Sequence, residues 1–262
     1  MDTRLTGKKA IVCGASKGLG KACALELAEQ GASVTVIARD EDLLAKLKTE
    51  LNASHGQKHD ILAADFSESD ELKSKITDYV TQHGPFHILV NNSGGPKAGP
   101  VHSATEKQFL QAFTQHLIGN HIMMQSVLEG MKSEKYGRII NIISTSVRQP
   151  VPGLGVSNTT RGAVASWSKT LAGELAEFGI TVNNVLPGSM ETERLYEVLE
   201  ARANAQNESI EDIIATEKIN IPAGRFGEPK EFAQAVAFLA GPESSYINGM
   251  NLPVDGGKIK SL

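Results

Sequence analysis

The sequence predicts an α/β fold, a doubly wound and mostly seven-stranded parallel sheet with helices on both faces. Three observations carry this. Short apolar runs alternate with stretches of helical spacing along the whole chain. A glycine-rich loop, Gly14-Ala15-Ser16-Lys17-Gly18-Leu19-Gly20, follows the first apolar run and opens the first helical stretch. The 262 residues, 40% hydrophobic and 21% charged, suffice for a large core without disulfide staples.

Lys8–Cys13 is the first predicted strand and ends at Gly14. Gly18–Gly31 carries Leu19, Ala22, Cys23, Leu25, Leu27 and Ala28 at helical spacing. Strands follow at Ser33–Ala38, Ile61–Ala64 and Phe86–Val90, separated by helices at Glu41–Ser54 and Glu68–His83. One long helical stretch runs from about Thr105 to Lys132. Then come strand Arg138–Ile143, helix Ser157–Phe178, strand Ile180–Leu186, helix Pro229–Leu239 and a last strand near Met250–Val254. Crossovers between parallel strands are expected to be right-handed. The polar, helix-prone Glu191–Thr216 segment alone interrupts the alternation. It follows Pro187-Gly188 at a strand's carboxyl end, where open α/β sheets bind ligands, and reads as a flap over that site or as a surface excursion.

Lys and Arg total 26 against 30 Asp and Glu, a net charge of −4, which argues against a nucleic-acid partner. No apolar run reaches the roughly 18–20 residues of a membrane span. Met1 to Gly7 has no apolar stretch of signal-peptide type. Cys13 and Cys23 cannot form a disulfide framework and suit a reducing compartment. These features point to a cytoplasmic protein. No metal site is expected: His116 and His121 stand five apart on one helix, whereas zinc motifs favour i, i+4 spacing with further ligands nearby.

The loop between the first strand and first helix suits a dinucleotide pyrophosphate. Its glycines allow a tight turn and close backbone approach, and the helix N-terminus offers free N–H groups. The spacing is Gly-x3-Gly-x-Gly. Past the second strand stands Arg39, and Lys17 lies inside the loop, so two cations are available to a ribose 2′-phosphate. Asp40, one residue further on, supports NAD(H) instead. The balance favours NADP(H) over NAD(H).

These residues resemble the short-chain dehydrogenase/reductase family, and the resemblance covers nearly the whole chain. Its landmarks are the Gly14–Gly20 loop, Asp65 with Phe66 beside it, Asn91-Asn92-Ser93-Gly94, Gly137 to Ser144, Pro187-Gly188-x-x-x-Thr192, and Val254-Asp255-Gly256-Gly257. The nearest likeness is to 3-oxoacyl-carrier-protein reductases. The resemblance implies a single Rossmann-type domain over residues 1–262, with the flap at about 189–220. It implies a cofactor site of Gly14, Ser16, Lys17, Gly18, Leu19, Gly20 and Arg39, with Asp65 and Phe66 near the adenine. Asn91, Ser93, Gly94 and Arg161 would serve the ribose side, and Pro187, Gly188 and Thr192 the nicotinamide end. The family transfers a hydride between nicotinamide and a carbonyl or secondary alcohol. A Tyr acts as acid/base beside a Lys, a Ser binds the substrate oxygen, and an Asn supports a water relay.

The chain departs from that pattern at the reacting centre. The family's Tyr-x3-Lys, 30 residues before the Pro of Pro187-Gly188, falls on Ser157 and Arg161. The Ser falls on Ser144 and is retained, and the Asn falls on His116. Tyr79, Tyr136, Tyr196 and Tyr246 are followed four residues later by His83, Ile140, Glu200 and Met250, so no register restores the motif. A serine hydroxyl is a far weaker acid than a phenol, and Arg161 keeps its proton. Losing a general acid typically slows a reaction about 10²–10⁴-fold. Three substitutes are available: His116, with an ordinary pKa suited to acid/base work, Tyr196 swinging in from the flap, and Ser157 passing a proton from water. The candidate catalytic set is Ser144, Ser157, Arg161 and His116. Arg148, in the loop after Ser144, is a candidate for an acidic substrate group or a solvated charge.

Two functions are consistent with this. One is an NADP(H)-dependent oxidoreductase acting on a small carbonyl or alcohol, including thioesters, with a non-standard proton donor. The other is a cofactor-binding sensor or scaffold with little turnover. The resemblance also implies a homodimer or homotetramer, since family members commonly pair through the helices at Thr105–Lys132 and Ser157–Phe178, where Ala163, Ala165, Ala172 and Gly173 would let helices approach closely.

Overall fold

A computed structural model describes residues 5–261. Met1 to Arg4, the first part of the start read as lacking a signal-type stretch, lie outside the described residues, as does Leu262. Seven strands form one sheet in the order β3-β2-β1-β4-β5-β6-β7. They are β1 (Lys9–Cys13), β2 (Ser33–Ala38), β3 (Asp60–Ala63), β4 (Ile88–Asn91), β5 (Gly137–Ile142), β6 (Ile180–Pro187) and β7 (Asn251–Val254). All neighbours are parallel, giving a Rossmann-type sheet.

Alternation within the strands explains how helices cover both faces. Ala10 and Val12 of β1 turn to one side, where α1 (Gly18–Glu29), α2 (Glu41–Glu50) and α9 (Pro229–Ala240) pack. Ile11 and Cys13 turn to the other, against α3 (Ser69–His83), α5 (Gly119–Glu134) and α6 (Gly155–Leu175). The two faces make two cores of buried aliphatic side chains, so the strands read as continuous apolar runs.

The predicted Thr105–Lys132 stretch is interrupted. It comprises α4 (Glu106–Phe113), a π-helical turn at Thr114–Ile118, and α5. The Glu191–Thr216 segment is two helices, α7 (Glu193–Gln206) and α8 (Ile210–Ile219), with a small core of their own in which Leu199, Ala203, Ile213 and Phe226 are buried. That core holds the two helices together, and α7 lines the cleft. Of the four small residues named on α6, Ala163 and Gly173 reach the surface and Ala165 and Ala172 do not. Ala165 and Ala172 are 8% and 4% exposed and face the chain's own interior, because their spacing places them on the sheet side of the helix. Among the described residues no helix is long and apolar enough to cross a membrane.

One polar feature crosses the core. Asn91, Asn141, Asn184 and Asn251 are register partners on β4, β5, β6 and β7. Asn91 Nδ2 donates to Asn141 Oδ1 at 2.8 Å, Asn141 Nδ2 to Asn184 Oδ1 at 3.1 Å, and Asn184 Nδ2 to Asn251 Oδ1 at 2.8 Å. Asn141 Nδ2 also donates to Ser168 Oγ of α6 at 2.9 Å. Replacing Asn141 by Ala removes three of these four bonds at once, leaving only the Asn184–Asn251 bond, and strands buried groups on β4 and β6. Urea denaturation is expected to show a loss of about 2–4 kcal/mol, since each stranded group costs about 1–3 kcal/mol; a loss below about 1 kcal/mol would show that the ladder adds little.

Candidate active site

The sheet's strand order reverses between β1 and β4, and a cleft of about 860 Å³ opens there at the carboxyl ends of the strands. Its floor is the Gly14–Leu19 loop. Gly14 has φ +58°, and a Cβ on it would sit 2.6 Å from the carbonyl oxygen of Asn92. A Cβ on Gly20 would sit 2.2 Å from the Gly14 oxygen, so only glycine lets the first turn of α1 press onto the loop. Asn92 Nδ2 ties the arrangement together by donating to Gly14 O at 3.0 Å. The residue at the N-cap of α1 is Lys17, and its side chain makes no cap hydrogen bond. The helix therefore presents uncapped amides to the cleft, as an anion-binding terminus requires.

At one end of the cleft lie Arg39, Asp65 and Phe66. The Arg39 side chain is 76% exposed, with Asp65 Oδ2 3.9 Å away. Burial pulls the Asp65 carboxyl upward, but hydrogen bonds from the Ser67 amide and hydroxyl, with the Arg39 charge, hold it below its ordinary value. Asp40 turns Oδ1 to the Leu43 amide at 3.0 Å and caps α2. Lys17 pairs with Glu193 of the flap at 3.2 Å. At the other end are Ser93, Gly94, Gln115, Pro187, Gly188 and Thr192, the last also capping α7.

The structure thus brings together Gly14, Ser16, Lys17, Gly18, Leu19, Arg39, Asp65, Phe66, Ser93, Gly94, Pro187, Gly188 and Thr192 around one cleft. It does not bring Asn91 there. That side chain is 1% exposed and belongs to the asparagine ladder, and the next residue, Asn92, lines the cleft instead. The pleat explains the correction: Asn91 is the last strand residue and points into the core. Asn92 and Glu193 were not singled out by the sequence reading. Each adjoins a residue that was, Asn91 and Thr192, and that adjacency was the available signal.

The four candidate catalytic residues lie outside the cleft lining. Ser144 Oγ accepts from the Ser146 amide at 3.0 Å, which leaves its own hydroxyl hydrogen to donate. Ser157 is half-buried in the first turn of α6. Arg161 is buried, and its guanidinium donates to the carbonyls of Ile142 at 3.3 Å and Ser93 at 3.4 Å. The side chain is turned to these backbone oxygens, and Arg161 is not among the residues lining the cleft. Burial lowers its pKa to about 10, so it stays a cation.

His116 is fully buried in the π-helical turn, with Nδ1 2.5 Å from Ser93 Oγ. Burial, and then the charge of Arg161, push its pKa down to about 2. It is neutral at working pH and has no acidic proton to give, so the expectation of a histidine acid is corrected. Tyr196 is engaged as well: its hydroxyl donates to Glu191 Oε1 at 2.9 Å, and that bond, with some desolvation, raises its pKa. His121 lies elsewhere, against Trp167.

Residues 14–258 match the family model described as enoyl-(acyl carrier protein) reductase. The 3-oxoacyl-[acyl-carrier-protein] reductase FabG of Vibrio harveyi is 34% identical over 97% of this chain and 98% of its own. The NADPH-dependent reductase BacG of Bacillus subtilis is 30% identical over 98% of this chain and all of its own. The chain belongs to the short-chain dehydrogenase/reductase family. The crystal structure of L-sorbose reductase from Gluconobacter frateurii, complexed with NADPH and L-sorbose, superposes with a TM-score of 0.93 at 27% identity, covering 100% of both chains. Both of these relatives are named as reductases, which lends no support to a sensor without turnover.

The flap of this short-chain dehydrogenase/reductase is clasped to the body. Glu217 of α8 accepts from Ser189 Oγ at 2.7 Å and from Lys258 Nζ, and Arg202 of α7 lies 3.6 Å away. Burial acts to raise the Glu217 pKa, but the hydrogen bonds from Lys258 and Ser189 and the charges of Lys258 and Arg202 outweigh it, leaving it below the ordinary 4.5. A depressed carboxyl stabilises the fold above its unfolded pKa and loses that contribution as pH falls through the folded value. Limited proteolysis of the flap is therefore expected to accelerate below pH 4.5, and Glu217→Gln to accelerate it at pH 7; flap cleavage that is flat from pH 7 to 3 would rule the clasp out.

Proposed function

We propose that the protein is an NADP(H)-dependent oxidoreductase that transfers a hydride between the nicotinamide and a small carbonyl compound or secondary alcohol. The observation that carries this is the cleft at the β1/β4 switch point. It combines an uncapped helix N-terminus, a glycine floor that admits no Cβ, and two cations at one end. The amides at Gly18 and Leu19 would hold a pyrophosphate, and Arg39 and Lys17 would hold a 2′-phosphate, Lys17 releasing Glu193 to do so. Asp40, spent on the α2 cap, is the weaker claim on a 2′-hydroxyl. NADPH-bound relatives and an NADPH-dependent reductase support the same cofactor.

When bound, the nicotinamide supplies the hydride. The chain supplies the rest. Ser144, with one lone pair taken by the Ser146 amide, offers its hydroxyl to the substrate oxygen. Ser157, at the position of the family's tyrosine, passes a proton in from water. The cytoplasm is the expected site of action. The chain works as one domain, with the 189–220 flap closing over the cleft. Pairing into a dimer or tetramer is supported by Leu110 of α4 and Ile118 beside α5, apolar side chains 70% and 43% exposed.

Calorimetry is expected to show NADPH bound more tightly than NADH. Arg39→Ala and Lys17→Ala should each weaken NADPH about 10–100-fold, since each removes a charge-assisted contact of about 1.5–3 kcal/mol, and change NADH binding little. Following the nicotinamide absorbance over ketones, 3-oxoacyl thioesters and sugars then tests turnover. Binding of neither nucleotide would overturn the function proposed.

A further inference from the structure

Three polar groups meet behind the wall of the cleft. Ser93 stands two residues past β4 and lines the cleft. His116 is 0% exposed, with Nδ1 2.5 Å from Ser93 Oγ. Arg161 is 7% exposed and donates to the Ser93 carbonyl at 3.4 Å and the Ile142 carbonyl at 3.3 Å. Among the described residues no carboxylate is paired with this guanidinium, so its charge is not cancelled within the fold.

The proton on the imidazole can be assigned by elimination. His116 Nε2 is buried with no hydrogen-bond partner. A stranded N–H there costs a full desolvation penalty, whereas a bare lone pair is the form that the positive charge of Arg161 favours on this ring. The hydrogen therefore sits on Nδ1 and is donated to Ser93 Oγ. That bond occupies a Ser93 lone pair and leaves the serine's own O–H to turn elsewhere. Its backbone carbonyl is already held by Arg161, and the open side is the cleft.

The geometry points to Ser93 as the hydrogen-bond donor that steadies the oxygen on which negative charge develops, with His116 and Arg161 as its positioning residues. The inference rests on the hydride-transfer reading. A hydride added to a carbonyl carbon drives the π pair onto oxygen. The Ser93 O–H donates to that oxyanion and keeps its own proton, the buried guanidinium adds positive potential from behind, and a solvent water gives up the proton that completes the alcohol, its hydroxide passing to bulk solvent. Such preorganised donors, set in a site of low dielectric, act without any titrating group. The neighbouring strand brings Ser144 to the same end of the sheet, three residues past Asn141, the register partner of Asn91.

A phenolate imitates this oxyanion, and 4-nitrophenol reports its own ionisation by colour. Titrated against the protein without nucleotide, bound 4-nitrophenol is expected to ionise about one pH unit lower than free, a tenfold change. Ser93→Thr should retain the shift and Ser93→Ala abolish it. His116→Asn, which keeps a donor, should retain most of it, and His116→Leu lose it. Circular dichroism and thermal unfolding identify any variant that fails to fold, and Ser93→Thr tests the hydroxyl by retention rather than loss. An unshifted 4-nitrophenol in the native protein, or a shift that survives Ser93→Ala in a folded variant, would overturn the assignment. The probe is read without nucleotide, so failure to bind NADPH would strike the hydride-transfer reading and leave this result standing on its own.

Discussion

The asparagine ladder sets the height from which every part of the site begins. In a parallel sheet, slipping one strand by a residue exchanges its two faces. For β5 or β6 that would drive Asn141 or Asn184 onto the apolar α1/α9 side and put aliphatic side chains among the remaining amides. Because the four asparagines bond only when β4, β5, β6 and β7 are in register, they oppose that slip. Ser93, Ser144, Pro187 and Asp255 then leave their strands two, three, three and four residues beyond a common line. The amides all donate in the same direction, toward β7, so each polarises the next. The line ends at Asn91 Oδ1, which is buried without a partner at the switch point beside β1.

Above that line the site is built from close approaches rather than from strong individual bonds. Asn92 reaches Gly14, the α1 turn presses onto the same glycine through Gly20, and the helix start is left uncapped. The uncapped helix start leaves backbone N–H groups facing the cleft, and the two close approaches bring the glycine loop against them. An anion is the group that completes such a surface. The exposed ion pair between Lys17 and Glu193 contributes little to stability, because both side chains are well solvated, 63% and 75% exposed. Its weakness suits a residue that must change partners when a phosphate arrives.

The sheet and its order of elements were legible in the sequence because buried parallel strands write themselves as apolar runs, and the glycine loop marked the switch point. The helical details were less legible. The stretch from Thr105 to Lys132 keeps a helical apolar spacing throughout, and nothing in Phe113-Thr114-Gln115-His116-Leu117 announces a π turn, since the extra residue is accommodated by tertiary packing. Asn91 and Asn92 are chemically identical neighbours, and only the pleat of the last strand residue separates a core amide from one in the cleft. The protonation of His116 was illegible for the same kind of reason. Its ordinary pKa belongs to a solvated imidazole, while its actual one belongs to a site fully buried beside Arg161, a residue 45 positions away in the chain.

The departures at the reacting centre form a linked set rather than separate losses. An arginine at position 161 extends further than a lysine and carries its donors on a planar fork, so it can serve the carbonyls of Ile142 and Ser93 together. Burial already disfavours an imidazolium at His116, and the cation of Arg161 adds to it, so the ring is held neutral. A neutral ring with its hydrogen on Nδ1 in turn fixes the Ser93 hydroxyl. In the proposed mechanism, fixed charge and fixed dipoles take the place of a proton-donating pair that must titrate. Such an arrangement holds charge well and delivers protons poorly, so the barrier in that mechanism lies in bringing water to the reacting oxygen, the step proposed for the half-buried Ser157.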